Sequence, residues 1–291
     1  MIIEKRYFTW CVILIIVTAS AGIVAQDRPA ADVKENDLIA VLQSDAPTGR
    51  KAFTCKQLVI YGTEQSVPVL APLLADKELA SWARIALEAI PGPAADAALR
   101  DALGKLEGRL LVGAINSIAV RRDVRAVDTL VQKLDDADAD VASAAAVALG
   151  HVGGRQAAKA LVQSLADAPA GVRSAAAEGS ILCAERFLAQ NTTAEAVTLY
   201  DTVRKADVPD QRHLEAIRGA ILARQSAGVP LLIEQLRSED RKRLGIGLRT
   251  ARELPGRDVT EALAVELAHL SPDRRPMLLL ALSDRNDPAV L

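Results

Sequence analysis

The side chains able to do chemistry are few and far apart. No two of His151, His213 and His269 fall at the i, i+4 spacing that would turn both imidazoles toward one metal ion from a single helix face. Cys11, Cys55 and Cys183 include no Cys-x-x-Cys pair, so neither a zinc knuckle, a haem attachment nor a redox dithiol is encoded. AEGSILC (Ala177–Cys183) lacks the second glycine of a nucleophile elbow, and LGIGLR (Leu244–Arg249) lacks the third glycine and the preceding strand of a phosphate loop. Gly245 and Gly247 therefore read as points of close helix packing. The acidic run LDDADAD (Leu134–Asp140) has no glycine and no distal glutamate of a calcium loop, and its carboxylates suit helix capping better. Asn191-Thr192-Thr193 matches a glycosylation sequon, but a turn followed by a helix start explains it as well. The expectation is no catalytic residue, no cofactor and no metal.

The elements that hold these residues are copies of one another. In DADADVASAAAVALGHVGG (Asp136–Gly154), Asp138 and Asp140 are placed to accept hydrogen bonds from a helix start. Val141, Ala144, Ala145, Ala148, Leu149 and Val152 then occupy one face of a 3.6-residue period, and Gly153-Gly154 stops the helix. The same template fits Leu79, Trp82, Ala83, Ala86, Leu87 and Ile90, and again Leu111, Ala114, Ile115, Ile118 and Ala119. It continues through Val172, Ala175, Ala176 and Cys183, with Gly179 and Ser180 in the remaining slots. Between these helices a Leu-x-x-x-Leu pair recurs at Leu70/Leu74, Leu99/Leu103, Leu130/Leu134, Leu161/Leu165, Leu199/Val203, Leu232/Leu236 and Leu263/Leu267. A unit of two short helices cannot bury its own apolar faces, so the units must stack. The fold class is all-α, an α-solenoid of about seven to eight helical hairpins. Pro72 falls inside a predicted first helix and is expected to bend it.

The acidic turn, DVASAAAVALGHVGG and the following AAKALVQSL resemble the short HEAT-like repeat of the phycobilisome-lyase type, over roughly Asp37 to the C-terminus and most strongly over Val124–Leu165. The resemblance implies a superhelix whose second helices line the concave side. It implies little about activity, since such repeats occur in scaffolds, in lyase subunits and attached to unrelated enzymes. Hydroxylases of this fold carry His-Glu pairs as iron ligands, and the sequence has no His-Glu dipeptide. One step of the repeat is longer, 38 residues from Leu161 to Leu199, and its AEAVTLY resembles the second helix of a tetratricopeptide hairpin, so an inserted hairpin is expected there.

Composition narrows the partners. Lys and Arg total 35 against 37 Asp and Glu, a net charge of −2, and only 3% of residues are aromatic. Such a surface has neither the basic footprint nor the stacking platforms of a nucleic-acid binder. The N-terminus carries Lys5 and Arg6, an apolar run through Val17 and the small residues Ala19-Ser20-Ala21, the pattern of a secretory signal. Residues 1–21 are read as that signal, with a second cut site after Ala25, residues 22–36 as a linker and 37–291 as the solenoid. Loss of Glu4, Lys5 and Arg6 shifts the charge from −2 to −3. The chain is expected in an exported compartment, held at a membrane only if the leader stays uncleaved. Cys55 and Cys183, several units apart, are expected as buried small hydrophobes without a disulfide.

What is left for function is surface. Arg84, Arg121, His151, Arg173, Arg218, Arg224 and Arg249 sit off the apolar template on the second helices, and two readings are open: a stripe that binds a protein or peptide partner, or a solvated face. RNDPAVL (Arg285–Leu291) reads as the start of a further unit, with Pro288 placed as Pro230 is before Leu232, so a truncated C-terminus is expected. A non-enzymatic exported scaffold and a repeat module of a larger enzyme, redox protein or lyase both fit.

Overall fold

The computed structural model describes residues 28–285. The predicted signal segment and the last residues of the chain, with Pro288, lie outside the described residues.

Eight helical hairpins follow one another, and no strand occurs among the described residues. They pair α1 (Arg28–Gln43) with α2 (Thr48–Tyr61), α3 (Val67–Leu70) with α4 (Ala80–Ala89), α5 (Pro93–Leu103) with α6 (Gly108–Arg121), and α7 (Val127–Lys133) with α8 (Ala139–Val152). The second half pairs α9 (Arg155–Asp167) with α10 (Ala170–Ala189), α11 (Thr193–Lys205) with α12 (Asp210–Arg224), α13 (Val229–Arg237) with α14 (Arg241–Glu253), and α15 (Arg257–Glu266) with α16 (Arg275–Ser283). No described helix is long and apolar enough to cross a membrane.

Local chemistry sets the boundaries. Asp138 accepts a hydrogen bond from the Asp140 amide at the start of α8, and Asp240 does the same for Lys242 at the start of α14. Gly153 ends α8 and Gly154 opens α9, both at positive φ (76° and 92°), where a side chain would be strained. Pro72 converts the end of the first helix of the second hairpin, α3, into a 3-10 turn over Ala71–Ala75, as a missing amide and a ring in the preceding turn require.

The leucine repeat is the core. Leu70, Leu99, Leu130, Leu161, Leu232 and Leu263 are fully buried and Leu199 nearly so. Each contributes at most about 1.5–3 kcal/mol of transfer free energy. Val141, Ala145, Ala148, Leu149 and Val152 are buried as the template requires, and Ala142, Ala146 and Gly150 are buried as well, because α8 packs on α6, α7, α9 and α10 together. Trp82, placed by the template on the buried face of α4, is instead 38% exposed, while Ala83 beside it is fully buried.

Two boundaries differ from the sequence expectation. Residues 28–36, read as linker, are the first turns of α1. Glu35 is buried there, and its carboxylate accepts hydrogen bonds from the Thr63 amide at 2.7 Å and the Ser66 hydroxyl at 2.5 Å, tying the helix to the next unit. No extra hairpin occupies the 38-residue step: α10 runs 20 residues where α8 runs 14, and AEAVTLY lies in α11, the ordinary first helix of its own unit.

The second helices α2 to α16 contact one another at every consecutive step, whereas the row of first helices loosens between α5 and α7 and between α11 and α13. We call this unbroken row of second helices the inner row. The closest approach joins α8 to α10, where a Cβ on Gly179 would stand 2.2 Å from the Ala146 carbonyl oxygen and one on Gly150 would stand 2.4 Å from the Gly179 carbonyl oxygen. Gly179→Val is expected to cost about 3 kcal/mol in chemical denaturation by forcing the two helices apart. An unchanged denaturation midpoint would show that the backbones do not meet there.

Candidate functional site

The residues that chemistry singled out lie in separate places. His151 is half-buried on the last turn of α8, the His213 ring packs 2.8 Å from the Ala206 carbonyl oxygen on α12, and His269 is exposed beyond α15. Among the described residues no three His, Cys, Asp or Glu side chains converge as metal ligands. Cys55 on α2 and Cys183 on α10 are buried and unpaired, and burial pushes both thiols up to about 11, which keeps them protonated. Asp136 accepts from the Asp138 amide and from Lys133, and these contacts hold its carboxyl below the ordinary value. The acidic run therefore caps helices. A Cβ on Gly247 would reach Gln235 and Leu236 at 3.1–3.2 Å, so this glycine serves close packing of α13 on α14, while Gly245 faces open space. Asn191 takes a positive φ of 59° in the turn before α11, and the Thr192 hydroxyl donates to the Phe187 carbonyl at 2.9 Å.

The predicted arginine stripe is not a row of free cations. Arg84 donates to the Gly113 carbonyl at 3.0 Å, lying where that glycine's missing side chain leaves room. Arg121, with a tenth of its side chain exposed, donates to the carbonyls of Leu87, Ile90 and Gly92 at 2.8, 2.6 and 3.0 Å and pairs with Asp96. It caps the end of α4 from two helices away, at a helix terminus whose carbonyls have no partner of their own. Arg224 donates to the Ala220 carbonyl and pairs with Asp201, and Arg173 pairs with Asp207 at 3.0 Å. Arg285, read in the sequence as the turn of a further unit, donates to the Ala251 carbonyl at the end of α14, to the Gly256 carbonyl in the turn that follows and to the Thr260 hydroxyl on α15, much as Arg121 does around the end of α4. The repeat length is the signal that could have found these ties, since the carbonyl acceptors of Arg121 lie 29–34 residues upstream of it.

Arg218 and Arg249 do come together. Both donate to Glu253, at 2.6 and 3.1 Å, beside a cavity of about 580 Å³ between α10, α12 and α14. Tyr200 of α11 forms its floor because Gly219 on α12 has no Cβ to exclude the ring; one there would lie 2.2 Å from it. Ile181, Leu182, Leu214 and Ile246 make apolar walls. Arg212 pairs with Glu178 and Glu215, and Lys242 pairs with Asp210 at 2.6 Å. Burial raises the Glu253 carboxyl, but the hydrogen bonds from Arg218 and Arg249 outweigh it and bring the net shift below the ordinary value. Burial first, and then the Glu185 carboxylate, lift the Tyr200 phenol well above its usual range. Toward the N-terminal end of the row of second helices, Phe53 and Ile60 on α2, Trp82 and Ile85 on α4, and Val120 on α6 stand in solvent, the first two 60% and 76% exposed. Reasoning from the arginines alone missed this apolar end. Its signal was large side chains off the buried template at Ile85 and Val120, whereas Trp82 fell on the template and gave none.

The two kinds of arginine separate in a stability measurement. Arg121→Ala is expected to cost about 2–3 kcal/mol, because it strands helix-end carbonyls and the Asp96 carboxylate. Arg249→Ala, exposed at the cavity rim, should change stability by less than about 0.5 kcal/mol. Equal costs in urea denaturation would refute the distinction.

No curated protein sequence matches the chain. Among solved structures, human deoxyhypusine hydroxylase is similar at 14% identity and a TM-score of 0.40, over 89% of this chain and 98% of that one. Kap95p, from a complex with RanGDP, is similar at 15% identity and a TM-score of 0.46, over 92% of this chain and 41% of that one. The complex of CpcE and CpcF of phycocyanin lyase from Nostoc sp. PCC7120 is similar at 18% identity and a TM-score of 0.36, over 86% of this chain and 94% of that one. The family model of HEAT repeats matches residues 107–181, the stretch from the start of α6 into α10 that holds the closest stacking. Residues 107–181 are HEAT repeats, set in an α-solenoid that runs through all the described residues.

Proposed function

We propose that the chain is an exported, non-enzymatic repeat scaffold that holds a protein or peptide partner along the inner row of second helices. The observation that carries this reading is the set of large apolar side chains left in solvent on three consecutive second helices: Phe53, Ile60, Trp82, Ile85 and Val120. A solenoid short of aromatic residues that leaves such groups uncovered on neighbouring helices has a surface suited to burying a partner. The thiols are buried and held protonated, and every cation lining the cavity is committed to a carboxylate, which favours recognition over catalysis. Export is supported by the basic start, apolar run and small residues of the leader.

A random peptide-display library panned against the chain tests the binding surface. Enriched peptides should lose about tenfold in affinity to the Phe53→Ser/Ile85→Ser double variant, with the helical circular-dichroism signal unchanged. Peptides that bind the variant as well as the parent, or a library that shows no enrichment, would overturn the reading. For export, N-terminal sequencing of the full chain expressed with a secretion pathway should show a mature end at Gly22 or Gln26. An N-terminus still beginning at Met1 in the secreted fraction would contradict cleavage.

A further inference from the structure

We infer that the cavity between α10, α12 and α14 receives a basic side chain, lysine or arginine, of the bound peptide, with Glu185 as its counter-charge. The inference rests on the scaffold reading and names the chemistry that one part of the inner row selects.

The cavity has a structural cause. The apolar core divides at α12, whose Ala216, Ala220 and Ala223 belong to the larger, N-terminal cluster and whose Ile217 and Ile221 belong to the C-terminal one. The long α10 packs closely on α8 and α11 but only loosely on α12, and the gap that remains shows Tyr200 at its base. Its volume of about 580 Å³ accommodates a long side chain with part of its backbone.

The charges decide which side chain. All four cations lining the cavity already have an acidic partner: Arg212 has Glu178 and Glu215, Lys242 has Asp210, and Arg218 and Arg249 share Glu253. An incoming carboxylate or phosphate would have to displace one of these. Glu185 is exposed at the rim and has no hydrogen bond or ion pair among the described residues, yet it lies near enough to the Tyr200 phenol to act on it electrostatically. Five carboxylates, counting Glu253, thus face four cations, and an incoming cation meets the uncompensated one without breaking any existing pair. Leu182 and Leu214 supply apolar surface for the methylene stem, the arrangement that long basic side chains favour when the charged head stays at a wet rim.

The test uses the full chain and three capped tripeptides, Ac-Leu-Arg-Leu-NH2, its citrulline analogue and its glutamate analogue, followed by calorimetry at low salt and by the ring resonances of Tyr200. The arginine peptide should shift Tyr200 and bind about tenfold more tightly than the neutral citrulline peptide, with the glutamate peptide weakest. Glu185→Gln should remove that preference, and Asp45→Asn, an exposed acid between α1 and α2, should not. Equal binding of arginine and citrulline, an unaffected Glu185→Gln variant, a preference for glutamate, or no shift at millimolar arginine peptide would each overturn the inference. The library-selected peptides separate the two readings. If they still depend on Phe53 and Ile85 while the cavity shows no preference for a cation, the scaffold stands and this inference falls. If the cavity binds the arginine peptide and no selected peptide uses the apolar row, the reverse holds.

Discussion

The backbones of α8 and α10 meet at Gly150 and Gly179, and most of the architecture turns on that contact. A second helix in this array is buried by its two neighbours in the inner row and by the two first helices beside it. Any Cβ at the crossing would push α10 away from α8 and open the core that Leu149, Leu161 and Cys183 share. Alanine does the same work on a smaller scale along α8, where Ala142, Ala145, Ala146 and Ala148 keep neighbouring backbones close. The scarcity of aromatics follows from the same geometry, since closely spaced helices leave little room for large rings.

Where the small-residue contact ends, the inner row loosens. The end of α10 carries Phe187 rather than a glycine stop, and the helix runs on past the length of α8 before Asn191 turns the chain. α11 then docks on the long helix, α12 follows α11, and a gap is left between α10 and α12. The cavity is therefore a consequence of one helix being longer than its repeat, not of an added element. Its charges are arranged by the same stacking: Glu178, Arg212 and Lys242 come from three successive second helices and meet only because those helices are in register.

Arginine serves two purposes in this fold. Arg121 and Arg285 close helix ends in the preceding unit, where exposed carbonyls would otherwise need water, and they join one hairpin to the next through several hydrogen bonds from one planar group. Arg218 and Arg249 remain at the rim. From the sequence both kinds look alike, as cations off an apolar template. Only the partners of Arg121 and Arg285, 25–34 residues away, distinguish them, and a periodic pattern does not say which residue of the previous unit comes opposite. Glu35 illustrates the same gap: an acid in a polar stretch reads as linker until Thr63 and Ser66 are seen around its carboxylate.

By itself the sequence determined the all-α class, the hairpin unit, the buried leucines, most helix ends and the inert character of the two described cysteines. These follow from local rules: a 3.6-residue period, capping by Asp and Gly, and the burial that a short amphipathic helix needs. The tertiary structure alone decided that α10 absorbs the long step, that Trp82 is exposed, that Arg121 is a cap while Arg218 and Arg249 share one carboxylate, and that a cavity floored by Tyr200 opens beside α12. Those outcomes depend on the distance and register between whole units. Small differences in helix length and side-chain volume at each step set both, and they accumulate along a solenoid with no second layer of constraints to correct them.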